Sequence, residues 1–465
     1  MKVLLVHPEW RQDDFGFRLA AMPEPLGLEM LAAALPDHDV RIADTRCGDD
    51  VVAAVSDFAP DVVGVTALTP EVYAAADILK RAKKVSSEIF TVVGGIHASL
   101  MPADFFVPAV DAIVVGEGEV VLAGLVAALA AGDGLAGVPN IIYRDESGQF
   151  RPTDKVIVEQ DLDTSPLPRR DLTAAHRQEY YFLFDRPDVS MATGRGCPYR
   201  CNFCSVWEFY GGRTRMMCPK RVLEEVRTIE TAHITFVDDN FMLNWKREDR
   251  IADLIRSEGI NRRYSMECRT DSIVRHPELV SKWADIGLYA VLLGLEGSDE
   301  TLASVNKSND LATNDQAIAI LKDHGVVIWG AFIVDPSWDV DDFARLRDYV
   351  HSREITHTQF TVLTPLPGTD LYRQRAHELI TGDYRCFDCL HAVTETRLPR
   401  EEFYRQYAEL YRQADLTPYF DMVRAGTLTV EDMRHGKEML DFMSRWENYA
   451  VHDPILGRSR AALAD

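Results

Sequence analysis

Short apolar runs alternate with stretches of helical periodicity along the first third of the chain. Val3–Val6, Val40–Ala43, Val62–Thr66, Ile89–Val93 and Ala112–Val115 are expected to be strands. Between them, Val72, Ala75, Ala76, Leu79 and Ala82 recur at the spacing of one helix face. Strands that are apolar throughout are buried on both sides, and intervening helices make such a sheet parallel and doubly wound. Ligands of these sheets bind outside the carboxyl ends of the strands. His7, Pro8, Thr66, Thr69, the Gly94-Gly95-Ile96-His97 loop and Gly116-Glu117-Gly118-Glu119 fall at those ends. No G-x-G-x-x-G fingerprint is present, and each glycine segment taken singly reads as turn chemistry.

Residues 1–145 therefore read as one α/β domain. Residues 146–185, with DTSPLPRRDL and no clean period, read as a linker. A second βα series follows over 186–380. Its expected strands are Val189–Thr193, Ile234–Val237, Tyr264–Glu267, Ala290–Gly294, Val326–Val334 and Gln359–Leu363. Pro219–Thr231 and Asn314–His324 are expected helices. Six units of this kind predict a partial (β/α)6 barrel, whose chemistry belongs at the carboxyl ends of its strands. Asp238, Asp239, Glu267, Arg269 and Glu296 lie there. The remaining residues, 381–465, are expected to be mostly helical. Phe403, Tyr407, Leu410 and Tyr411 form one stripe fit to pack on the barrel.

The first strand of the barrel runs into GRGCPYRCNFCSV, which spaces Cys197, Cys201 and Cys204 as C-x3-C-x2-C. Iron–sulfur cubes are held by cysteine thiolates, normally four. Three protein thiolates leave one iron open to a further ligand, as catalytic metal sites do. The competing readings are a zinc site or scattered buried thiols, but no fourth Cys or His follows at finger spacing. Cys386 and Cys389, in C-F-D-C, lack a completing pair and read with Cys268 as small apolar fillers.

Composition narrows the partners. Lys+Arg 50 against Asp+Glu 73 gives a net charge of −23, which disfavours nucleic acid and anionic membrane as main partners. MKVLLVHPEW reads as a first strand rather than a leader, and no apolar run approaches the roughly 18 residues that a membrane span needs. Clustered thiols without disulfide spacing suggest a cytoplasmic protein.

The cysteine motif resembles the signature of radical S-adenosylmethionine (SAM) enzymes. The segments PLGLEMLAAAL, VVGVTALT, VVGGIHAS and VDAIVVGEGE are similar to the cobalamin-binding domain that precedes many of them. CSVWEFYGGR, FVDDNF, VDPSWD, TPLPGTDLY and DYRCFDCLHAVTETRLPREEFY resemble hopanoid C-3 methylases and neighbouring cobalamin-dependent enzymes, apart from Cys386 and Cys389, where aliphatic residues are expected. The resemblance implies a 4Fe-4S cluster on Cys197, Cys201 and Cys204, with SAM chelating the open iron. It places Phe203 near adenine. Acidic groups among Asp238, Asp239, Glu267 and Glu296 would face the methionyl amine or ribose, and Arg269 the methionyl carboxylate. Thr66, Thr69, Gly94, Gly95, His97, Gly116 and Glu117 would contact cobalamin. The D-x-H-x-x-G motif, whose His ligates cobalt from below in many such domains, is absent. The resemblance therefore implies base-off, His-off cobalamin, its lower face meeting the Ala67–Thr69 loop or the Trp10 region. The implied activity is C-methylation of a hopanoid-like lipid or natural-product intermediate, with flavodoxin or ferredoxin as electron donor. An oxidative cyclase or rearrangement enzyme carries the same motifs. A non-catalytic cobalamin or redox sensor is the alternative of a different class.

Overall fold

The apolar runs assemble into two parallel sheets in the computed structural model of the chain, which describes residues 1–9, 21–156, 160–182, 185–412, 423–424 and 429–457. The first part contains β1 (Lys2–His7), β2 (Ala21–Met22), β3 (Asp39–Asp44), β4 (Val62–Thr66), β5 (Phe90–Gly94), β6 (Ala112–Val114), β7 (Ile141–Arg144) and β8 (Phe150–Pro152). All but β2 form a seven-stranded sheet in the order β3-β1-β4-β5-β6-β7-β8. The first five are parallel. Because side chains alternate along a strand, each face gathers its own core. Leu4 and Val6 pack with Val55 and Leu79, whereas Val3 and Leu5 pack with Leu28 and Leu125. Chain order reverses between β1 and β4, so the ends of these neighbouring strands flank a crevice.

The sheet runs past the expected boundary at 145. β7 and β8 pair antiparallel as a hairpin on its edge. The turn was written in the sequence: Asp145 Oδ1 accepts from the Ser147 and Gln149 amides at 2.9 Å, and Gly148 takes φ +79°. Two short strands with polar faces simply lack the continuous apolar run that marks the buried ones. The linker is also tied down, since β9 (Tyr181–Phe182) pairs antiparallel with β2.

The second part contains β10 (Asp188–Met191), β11 (Gly194–Arg195), β12 (Arg215–Met216), β13 (His233–Phe236), β14 (Arg263–Cys268), β15 (Leu288–Gly294), β16 (Val327–Val334) and β17 (His357–Val362). Six of them form an all-parallel sheet in chain order, β10-β13-β14-β15-β16-β17. With β10 and β17 at its two edges, the sheet is an open partial barrel. Along β14, Tyr264, Met266 and Cys268 enter the core under the helices, which turns Glu267 toward the lumen.

The helix Arg400–Arg412 packs against β17, at one edge of the barrel. Phe403, Tyr407, Leu410 and Tyr411 join the barrel core, and Tyr407 Oη donates to the Phe360 carbonyl at 2.7 Å. Helices Val430–Met443 and Trp446–His452 follow. They are anchored through buried Asp453, which accepts from Arg400 Nε at 2.7 Å and Tyr404 Oη at 2.6 Å. Cys268 lies in the barrel core, and Cys386 packs with Phe387 and Val393. Burial pushes the Cys389 thiol up to about 12, so it too behaves as an apolar filler. Trp338, half-buried, packs edge-on against Phe343 at 5.5 Å on the barrel core.

Candidate functional site

A cavity of about 500 Å3 lies between the two domains, at the carboxyl edge of the first sheet. Its size suits an organic cofactor. His7, Thr66, Gly94, Gly95, Gly116 and Glu117 border it from the first domain; Gly194, Arg195, Phe209, Tyr210, Val237 and Asp239 border it from the second. The cavity therefore sits at the β1/β4 switch point and abuts the segment that carries the three cysteines.

The glycines open this space. Gly95 has φ +100°, and a Cβ there would stand 2.9 Å from the backbone nitrogen and oxygen of Ala67. Gly116 has φ +86° with nothing within 4 Å of a would-be Cβ, so its surface is open to a flat ligand. This bare backbone fits cobalamin.

Arg195 joins the domains. It sits between Gly194 and Gly196, is nearly buried, and its Nη1 lies 2.5 Å from Glu117 Oε2 while its other terminal nitrogen meets Glu119. Arg215 pairs with the second oxygen of Glu117. Glu117 thus borders the cavity while its carboxylate faces two guanidiniums.

The cysteine loop is held from several strands. Gly196, at φ +84°, would drive a Cβ to 2.0 Å from the Arg213 carbonyl, and its amide donates to Asp239 Oδ2 at 2.9 Å. Asn202 bonds the carbonyls of Val305, through its amide at 3.1 Å, and Ser304, through its side chain at 2.9 Å. Phe203 packs among Val305, Ile333, Leu363 and Leu371, an apolar patch at the ends of β16 and β17. The three thiols are half-buried. Burial raises all of them, Cys204 to about 12, so it is the bound metal that must displace their protons. Among the described residues, no three His, Cys, Asp or Glu side chains converge as ligands of one ion would. A cube spreads its thiolates over different irons, so three sulfurs on one loop fit a cluster better than a lone zinc.

Several expected ligands have other work. His97 is 1% exposed and does not border the cavity; its Nδ1 lies 3.1 Å from Thr69 Oγ1 and its Nε2 3.0 Å from Asp104. Asp104 also accepts from Tyr384 Oη at 2.8 Å. His97 and Thr69 thus belong to a hydrogen-bonded chain that runs through Asp104 to Tyr384, and neither borders the cavity. Asp238 accepts from the Thr193 amide at 3.0 Å and hydroxyl at 2.8 Å and does not border the cavity. Burial raises its carboxyl to about 6. Arg269 is not an open fork. Its Nε donates to Asp271 at 2.9 Å, one terminal nitrogen is shared by Ser308 and Asn309, and its guanidinium stacks 3.6 Å from the Tyr199 ring centroid. It clamps the cysteine loop.

Glu296 and Glu267 remain at the lumen. Glu296 adopts φ +58° and receives Lys307 Nζ at 2.7 Å, which also donates to the Gly294 carbonyl at 2.7 Å. Glu267 is open to the lumen yet walled by protein. Desolvation raises its carboxyl to about 7, against Lys307 and with Asp239 and Glu296. Arg195, Lys307 and Tyr199 escaped the sequence reading. Arg195 stood in plain view inside GRGC, but nothing in a period of two or 3.6 marks a residue that reaches into another domain. Trp10 lies outside the described residues.

A cobalamin-type sheet joined to a cysteine-bearing partial barrel across one cavity defines the class. Residues 17–126 match the B12 binding domain family, and residues 191–350 match the Radical SAM superfamily. Hopanoid C-3 methylase of Methylococcus capsulatus is 34% identical over 418 residues, covering 87% of this chain and 78% of that protein. The chain belongs to the cobalamin-dependent radical SAM enzymes, whose cofactors are a 4Fe-4S cluster, SAM and cobalamin. The anaerobic magnesium-protoporphyrin IX monomethyl ester cyclase of Rubrivivax gelatinosus is 28% identical, covering 83% of this chain and 72% of that protein. The fold is that of the radical SAM methyltransferase TsrM from Kitasatospora setae, solved with cobalamin and a 4Fe-4S cluster bound: TM-score 0.69 at 17% identity, covering 95% of this chain and 99% of that one. Among the described residues, no helix is long and apolar enough to cross a membrane.

Proposed function

We propose that this enzyme replaces a hydrogen on an unactivated carbon of a small-molecule substrate with a methyl group. The observation that carries the reading is the shared cavity, in which the Gly94-Gly95 loop and the Gly194–Arg195 approach to the cysteines face each other. When bound, the cluster and SAM supply a 5′-deoxyadenosyl radical and cobalamin supplies the methyl group.

The chain's part is to hold, orient and exclude. Gly95 and Gly116 offer backbone to a large flat ligand. Cys197, Cys201 and Cys204 hold the cluster, with Asp239 and Arg269 fixing the loop that carries them. Glu267 and Glu296, set at their strand ends beside Lys307, suit the ammonium and hydroxyls of SAM, and Phe203 suits its adenine. No protein nucleophile is required. Leu68 and Val237, 48% and 44% exposed, border the cavity from opposite domains and favour an apolar substrate. A hopanoid-like lipid fits that chemistry and the named relative, and an apolar natural-product intermediate fits it equally. A flavodoxin or ferredoxin would supply the electron.

The second reading, cyclisation without net methyl transfer, draws on the cyclase relative. SAM bearing a deuterated methyl group separates the two. With reductant and a desmethyl hopanoid, methylation puts the label in the product. A changed but unlabelled product overturns methylation in favour of cyclisation. Reconstituted protein that never forms 5′-deoxyadenosine would point to a sensor.

A further inference from the structure

The electron that radical chemistry requires must reach the cysteine loop from outside, and one side of that loop presents a charged, solvent-facing surface. Arg200, between Cys197 and Cys201, is exposed. Its carbonyl accepts from Asn306 Nδ2 at 2.7 Å, and its guanidinium lies 5.4 Å from the Trp207 ring centroid. Trp207 Nε1 in turn donates to the Cys201 carbonyl at 3.2 Å. An exposed cation therefore stands one indole away from the backbone of a cluster cysteine.

Tyr199 extends the surface. Its hydroxyl donates to Asp271 Oδ2 at 3.2 Å, and Asp271 also pairs with Arg275, which is 59% exposed. His276 follows Arg275 and stacks on the Trp245 ring at 4.8 Å. Trp245 is 40% exposed, and Lys246 Nζ stands 5.6 Å from its centroid. Two carboxylates lie among these groups. Asp271 is half-buried and shared by Arg269, Arg275 and Tyr199, and Glu278 sits 3.1 Å from His276 Nδ1. Beyond Trp207, Glu208 is paired with Arg373. Arg200, Arg275, Trp245 and Lys246 do not border the cavity between the domains.

The whole chain carries a net charge of −23. It repels an acidic protein except where the local field is reversed. Salt screens charges beyond roughly 10 Å at 0.1 M, so the groups nearest the landing point decide that field. A half-exposed tryptophan adds rigid contact area of the kind that anchors interfaces.

We propose that this face, with Arg200, Lys246 and Trp245 at its centre, docks a small acidic one-electron carrier protein of the flavodoxin kind. The proposal rests on the radical reading above. One electron leaves the reduced carrier and enters the oxidised cluster; no bond is made or broken and no proton moves. The carrier lands against the loop that holds the cluster and leaves the cavity to cofactor and substrate.

The test reads cluster reduction without substrate, so a failure of methyl transfer leaves it standing. Full-length protein with its cluster oxidised is mixed with reduced flavodoxin, and rapid-freeze electron paramagnetic resonance follows the reduced cluster. Lys246→Glu should slow the reaction on the order of tenfold at low salt and hardly at all at high salt. Arg200→Gln, which removes one charge rather than reversing it, should slow it less. Reduced methyl viologen, a small cation, should reduce the cluster in both variants as fast as in wild type. Lys322→Glu, on the helix that returns to the start of β16 at the barrel's opposite end, should leave the flavodoxin rate unchanged. Wild-type flavodoxin rates in Lys246→Glu and Arg200→Gln at low salt overturn the proposal. So does equal slowing in Lys322→Glu, which assigns the effect to net charge, or equal slowing with viologen, which assigns it to the cluster itself.

Discussion

At the ends of β5 and β6 the chain presents backbone: Gly94, Gly95 and Gly116, with positive φ at the last two and no side chain between ligand and sheet. At the ends of β13, β14 and β15 it presents charge: Asp239, Glu267, and Glu296 held by Lys307. Both surfaces lie at the carboxyl edge of a parallel sheet, yet they solve different problems. A large flat ligand is admitted by removing side chains, so the first surface is built from what is missing. A small zwitterion is gripped by fixed charges, so the second is built from groups that are themselves tethered. Arg195, anchored on Glu117 and Glu119, holds the two surfaces face to face.

The largest expected effect separates them. Replacing Cys201 with Ala should abolish the cluster and reduce 5′-deoxyadenosine formation below detection, while cobalamin bound per protein stays at the wild-type level. Iron content and visible spectra check both, and parallel loss of cobalamin would mean the surfaces are not independent.

Next come the glycines. Gly95→Ala combines a disfavoured φ with contact against Ala67 backbone, a cost of about 2–3 kcal/mol. That cost falls on the fold, free and cofactor-bound alike, so it should be read as a lowered urea midpoint. Gly116→Ala meets no protein atom and costs the fold only about 1–2 kcal/mol, but its methyl would stand in the space that bare backbone leaves for the ligand, so cobalamin affinity should fall more here than in Gly95→Ala. Equal losses of affinity in the two would mean that the open space at Gly116 is not where the ligand approaches.

Arg195→Gln should leave Glu119 and part of Glu117 unpaired at a nearly buried interface. The destabilisation is about 3 kcal/mol, read by urea unfolding. Were stability unchanged, the two domains would be held by the other contacts alone.

The smallest effect is a pH dependence at Glu267. Its carboxyl is raised by burial from the usual value of 4.5 to about 7, so ionising it opposes folding. The penalty is absent below pH 4.5, grows through pH 7 and is then constant. Glu267→Gln should therefore melt with wild type at pH 4 and above it at pH 8. Bound SAM, whose ammonium would pair with the carboxylate, should narrow the gap.

Much of this organisation was legible from hydrophobic periodicity. The strands of both sheets start and stop within two residues of their apolar runs because burial on both faces demands an unbroken run. The β7–β8 hairpin escaped that logic because an edge needs only one buried face. At the site, the cysteines and glycines announced themselves by spacing and by backbone need. Histidine did not. His97 sits in a glycine loop and looks available, while Thr69 and Asp104 have already taken it. His7 looks like the end of a strand and borders the cavity. Which histidine is engaged depends on partners remote in sequence, and no local pattern records that. The same holds for Asp238, turned inward by Thr193, beside Asp239, which borders the cavity.

The central claim is that the two cofactors face one cavity across the domain boundary, and magnetic coupling between them tests it most directly. The cob(II)alamin resonance is recorded first with the cluster oxidised and diamagnetic, then with it reduced and paramagnetic. The account predicts a broadened, faster-relaxing cobalt signal in the reduced protein, lost again in Cys201→Ala. A cobalt spectrum indifferent to the state of the cluster would place the cofactors on separate faces of the molecule and contradict it.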